Sequence, residues 1–119
     1  MPAAERRKLD ASHALIADAV SRYGRFADLR LYIVGHTDTV GDTDANRELS
    51  LQRARVIAAY LRKRGLKLPI FFEGLGEQSP RVVTPDETDE AANRRAEYIL
   101  AVEPPALAPT PIPPQWRKL

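Results

Sequence analysis

The chain has 119 residues, a formal net charge of +2 from 18 basic and 16 acidic side chains, 44% apolar residues and no cysteine. That length fits one domain, and without cysteine no disulfide holds it. The small, dispersed charge lacks the concentrated basic stripe of a nucleic-acid binder, and no window approaches the roughly 18 apolar residues of a membrane span.

Residues 3–23 read as a helix. Leu9, Ile16, Val20 and Tyr23 follow the 3.6-residue period, and Gly24 suits the left-handed position after it. His13 lies close to this face, as a boundary residue. Met1 is followed by Pro2 and a charged helix rather than an apolar signal core. Work outside the cytoplasm would therefore need an export signal from outside this sequence.

Residues 29–35 read as a strand, with Leu29, Leu31 and Ile33 alternating with Arg30, Tyr32 and Val34. Gly35 ends it, and an acidic turn follows. Set on a calcium-loop template, Asp42, Asp44 and Asn46 fill its first three ligand positions. The template then puts Arg47 where glycine is required and Arg53 where a bidentate glutamate belongs. The turn is therefore read as caps and turn formers, with Asp44 or Asn46 as N-cap, and no metal site is expected.

A second helix runs from about residue 45 to Arg64 and closes at Gly65. At about 100° per residue from Leu51, Ala54, Ile57, Ala58 and Leu61 fall at roughly 240–340°. Leu49, Val56 and Tyr60 fall at roughly 140–180°. Arg53 falls between these groups, in an otherwise apolar arc. Its guanidinium must snorkel to water, meet a buried carboxylate or wait for an anionic ligand. Arg62, Lys63 and Arg64 sit in the last turn, where cations offset the helix dipole.

Ile70 to Glu73 form a short strand, with Ile70 and Phe72 toward the core. Gly74, Gly76 and Pro80 bend the backbone out of it. Residues 81–95 are a polar excursion, with a short helix from Thr84 or Asp86 through Ala92. A last strand spans Ala96 to Val102. Six of the eleven residues from Pro104 to Pro114 are proline, which removes donors and favours an extended chain. Residues 104–119, ending in Trp116, Arg117 and Lys118, are read as a disordered tail or a docking segment with an aromatic anchor.

Four motifs recur through this reading: G-H-T-D-x-x-G at Gly35 to Gly41, N-x-x-L-S-x-x-R-A at Asn46 to Ala54, G-x-G-E-x-x-P at Gly74 to Pro80, and N-R-R at Asn93 to Arg95. In order and spacing, over roughly residues 5–102, they resemble the OmpA-like peptidoglycan-binding domain. The resemblance implies an α+β fold: two long helices packed on one face of a small mixed sheet, over residues 1–103. Relatives begin with a strand before the first helix, and only Met1 to Ala4 precede it here. The expectation is a sheet lacking that strand, with an open edge available for self-association or a partner strand.

The resemblance also implies noncovalent binding of the diaminopimelate in peptidoglycan stem peptides, anchoring an envelope component in the periplasm, associated with the outer membrane. Asp38 and Arg53 are carried over as the ligand pair, with Thr37, Asn46 and Arg95 around them. Their chemistry fits. A carboxylate accepts the ligand's ammonium, and a guanidinium holds its carboxylate by two parallel hydrogen bonds. Locally, Thr37 is also a strand-end residue, Asn46 a cap, and Arg95 a partner for a carboxylate within the fold. Ala96 departs from the larger β-branched residue usual after N-R-R. A rival reading makes His36 and Asp38 a catalytic pair in a wall hydrolase. There is no cysteine nucleophile, H-E-x-x-H or G-x-S-x-G to support it, so neither catalysis nor a cofactor is expected. The other alternative is a protein-interaction module that uses the open edge and the proline-rich tail without binding the wall.

Overall fold

A computed structural model describes residues 3–24, 27–37, 43–76, 95–105 and 115–119. The elements are α1 (Ala3–Tyr23), β1 (Arg30–His36), α2 (Thr43–Lys63), β2 (Ile70–Gly76), β3 (Ala96–Ala101) and β4 (Arg117–Lys118). The strands form one sheet in the order β3-β1-β2-β4. β1 and β2 are parallel, and β3 and β4 are antiparallel to their neighbours. The fold is α+β with a mixed sheet, as expected.

The parallel pair follows from the helix between its strands, because parallel neighbours need a long crossover. That crossover ends cleanly. The Leu66 N–H donates to the Leu61 carbonyl at 3.2 Å, and the Gly65 N–H to the Arg62 carbonyl at 3.0 Å. These two bonds form a Schellman cap. Gly65 has φ +101°, the left-handed conformation such a cap requires. Leu61 and Leu66 both enter the core, so the cap also seals the layer beneath it.

One core lies between the sheet and the helices. It joins Ile16 of α1, Leu31 and Ile33 of β1, Ala54, Ala58 and Leu61 of α2, Leu66, and Ile70 and Phe72 of β2. The predicted inward face of β2 is therefore the observed one. α1 is tied to α2 by Asp10, which accepts from the Tyr60 hydroxyl at 2.7 Å and faces the Arg64 Nε at 3.3 Å. Its predicted boundary residue, His13, is half-buried.

The buried arc of α2 is narrower than the periodicity implies. Ser50, Ala54, Ala58 and Leu61 are fully buried, while Leu49 and Val56 are 45% and 54% exposed. Small residues explain the choice: α2 lies so close that its backbone touches the strands. A Cβ on Gly35 would come within 2.3 Å of the Ser50 carbonyl oxygen, and one on Gly74 within 2.2 Å of the Leu51 nitrogen. Neither glycine breaks its strand. β1 runs on to His36 and β2 to Gly76, correcting the predicted ends at Gly35 and Glu73.

Two further expectations change. Asn46 is not a cap: α2 begins at Thr43, and Asn46 is a buried residue inside the first turns. The chain's end is not wholly outside the fold either. Residues 117 and 118 pair with β2, and Trp116 packs edge-on against Tyr32 at 5.0 Å on the face away from the helices. Residues following proline carry donors again, and the free edge of β2 receives them. Among the described residues no strand pairs with the outer side of β3. The predicted short helix within residues 81–95 lies outside the described residues. No helix among the described residues is long and apolar enough to cross a membrane.

Candidate functional site

The described residues of the sequence motifs converge on one end of the sheet, where β1 and β2 finish and α2 begins. Ser50 is the pivot. Its hydroxyl donates to the Arg47 carbonyl at 2.7 Å and accepts from the Gly76 N–H at 2.8 Å. It thus fixes the first turns of α2 to the end of β2 while remaining fully buried. A buried hydroxyl with both roles filled holds geometry as well as energy.

At the same end, the Thr37 N–H donates to the Gly76 carbonyl and the His36 N–H to the Arg95 carbonyl, each at 2.8 Å. Thr37 and His36 are both 3% exposed. Glu97 faces two basic side chains: its Oε1 accepts from the Arg95 Nε at 2.8 Å and lies 3.6 Å from the His36 Nε2. Of the two roles open to Arg95, ligand contact or pairing with a carboxylate within the fold, Glu97 fills the second. The network joins residues some sixty positions apart in sequence (36 with 95 and 97); Ser50 is the serine of the N-x-x-L-S-x-x-R-A motif, whereas Glu97 carried no signal that singled it out.

The five predicted site residues distribute as follows. Thr37 and Arg95 meet through His36 at the strand ends. Asn46 is buried in α2 nearby in sequence to Ser50. Arg53 stands on the solvent-exposed flank of α2 between exposed Leu49 and Val56. Among the described residues it has neither a hydrogen bond nor an ion pair, so the internal ion-pair role is not the one it takes there. Asp38 lies outside the described residues, one position beyond Thr37, and so does Asp42, while Asp44 is in the first turn of α2.

A separate cleft of about 100 Å³ opens on the other flank of α2, lined by Arg47, Leu51, Glu73, Gln115 and Arg117 among others. Its α2 residues lie roughly 120–180° around the helix from Arg53, so it is not the predicted site. Among the described residues no group of three His, Asp or Glu side chains is placed to hold a metal.

Two tyrosines near the helix layer have raised pKa values. Tyr60 is raised chiefly by its hydrogen bond to Asp10, and Tyr98 chiefly by burial, with a hydrogen bond to Ser12 acting in the opposite sense.

Residues 3–96 match the model of the OmpA family. Outer membrane protein A of Bordetella avium is 36% identical over 84 residues, covering 69% of this chain and 43% of that protein. The peptidoglycan-binding protein ArfA of Mycobacterium tuberculosis is 38% identical over 74 residues, 61% of this chain and 23% of its own. A photosystem I P700 chlorophyll a apoprotein A2 of Gloeobacter violaceus is 32% identical over 105 residues, 81% of this chain but 12% of its own. The chain thus spans less than half the length of these relatives. The OmpA-like domain of FopA1 from Francisella tularensis shares the fold, with a TM-score of 0.52 at 20% identity over 70% of this chain and 55% of that one. By its sequence the chain belongs to the OmpA family.

Proposed function

We propose that the chain binds peptidoglycan noncovalently, taking the amino acid head of diaminopimelate between Asp38 and Arg53. The observation that carries this reading is the exposed Arg53 guanidinium on a helix pinned to the strand ends by Ser50. The pinned helix fixes where the Arg53 side chain starts, so binding orders that side chain but not the backbone beneath it. Arg53 grips the ligand carboxylate through paired N–H donors, and Asp38 accepts the ammonium. Thr37, anchored through its backbone, sets where the chain leaves β1 toward Asp38. Asn46 supports the start of α2. Arg95, braced by Glu97, adds positive potential at the strand ends. The function is anchorage rather than catalysis: an envelope component is held to the wall, in the periplasm and in association with the outer membrane. Relatives named for peptidoglycan binding and for the outer membrane support it.

Cosedimentation with purified diaminopimelate-type peptidoglycan tests the reading. The native chain is expected in the pellet, and Asp38→Ala and Arg53→Ala, with unchanged circular dichroism, in the supernatant. A native folded chain that stays in the supernatant would overturn it.

A further inference from the structure

Beyond wall binding, the structure couples two features that the sequence left apart: a free strand edge and a C-terminal segment with an aromatic anchor. We propose that residues 115–119 are a self-supplied edge strand, a plug that the chain seats on the outer edge of β2 and that keeps a second chain's strand from pairing there.

The plug is built from both sides. Phe71 and Phe72 of β2 are in register with Lys118 and Arg117, and the Leu119 N–H donates to the Ile70 carbonyl at 2.9 Å. At the other end, Glu73 acts as a clamp. Its carboxylate is 2% exposed and accepts from the Gln115 N–H and, at 2.8 Å, from the Gly74 N–H. A buried carboxylate is costly unless its lone pairs are filled, and the plug fills one of them. Between these ends Trp116 stands at 69° to the ring of Tyr32, which also stacks on Phe71 at 5.2 Å. Tyr32 is fully buried.

The sequence limits the plug to this segment. Pro111, Pro113 and Pro114 have no N–H to donate, so Gln115 is the first residue after them that can join the edge, and its N–H is the one Glu73 takes. The new outer strand is also poor bait for another. It is two residues long, both basic, and follows prolines. Short length, positive charge and proline are the devices that blunt sheet edges. Two register pairs, one clamp and one ring are little beside the helix-covered core, so the plug opens at lower free energy than the rest of the fold.

Trp116 is the only tryptophan, and it reports the plug in the full chain. In a urea titration its emission is expected to shift before the helical circular dichroism is lost. In full-length Trp116→Ala, amides of residues 70–73 are expected to exchange at least tenfold faster while those of β1 do not change. That variant is also expected to bind a labelled synthetic peptide of residues 111–119 at least tenfold more tightly than the native chain does. Unchanged exchange at 70–73, or equal peptide binding by the two chains, overturns the proposal. Should Trp116→Ala fail to fold, the native titration decides. Separate transitions sustain the plug, and a single coincident transition makes residues 115–119 part of the core and refutes it.

Discussion

Gly74→Ala tests the way α2 is seated. The added methyl would lie 2.2 Å from the Leu51 nitrogen, 2.5 Å from the Ser50 hydroxyl and 2.6 Å from the Leu51 Cα. Two of the three obstacles are helix backbone, so no rotamer change relieves them. The helix must lift from β2, loosening the Ser50 bond to Gly76 as it goes. Overpacking a tight core costs about 1–3 kcal/mol, and loss of a buried hydrogen bond adds about 1 kcal/mol. About 3 kcal/mol is expected. For 119 residues, an unfolding entropy of about 2.1 cal/mol/K per residue makes that a fall in Tm of roughly 12 °C. Thermal unfolding followed by circular dichroism measures it. A Tm within about 2 °C of the native value would mean that α2 and β2 have more room than these contacts allow, and the close-packing argument would fail.

Ser50→Ala removes the acceptor of the Gly76 N–H without adding bulk, and is expected to cost about 1–3 kcal/mol by denaturant unfolding. Arg53→Ala, on an exposed helix flank, is expected to change stability by no more than about 0.5 kcal/mol; a large loss would recast Arg53 as structural. Tyr98 holds its proton more tightly in the folded chain because burial disfavours the phenolate. Its stabilising contribution is complete below the unfolded pKa of about 10 and is lost as pH rises through the higher folded value. Stability should therefore fall above about pH 10, and Tyr98→Phe should flatten that fall. An unaltered alkaline limb in the variant would remove Tyr98 from the explanation.

Much of this fold is legible in single-residue patterns. Period and punctuation place α1, β1, α2 and β3 to within a residue or two, and the Gly65 cap is visible as a glycine after a basic last turn. What escapes has a physical reason. Period tells that Leu49 and Val56 share a stripe with Arg53, but not that Ala54 and Ala58 let the helix approach so closely that only the opposite stripe is buried. Gly74 and Gly76 look like strand breakers because the same lack of a side chain serves both a bend and a close approach. β4 has no period to detect in two residues, and prolines before it suggest a tail. The site divides likewise. Arg53 stands out as a charge in an apolar arc. The links from Glu97 to His36 and Arg95, and from Ser50 to Gly76, exist only after the strands pair.

The claim that Arg53 holds the ligand's carboxylate is tested most directly by calorimetric titration with two soluble stem peptides. One carries diaminopimelate, and the other carries lysine, which lacks that carboxylate. The account predicts that the native chain favours the diaminopimelate peptide by about 10–100-fold, the equivalent of a charge-assisted hydrogen bond of roughly 1.5–3 kcal/mol. It also predicts that Arg53→Ala abolishes the preference. Equal affinity of the native chain for both peptides, or a preference that survives in folded Arg53→Ala, would contradict it.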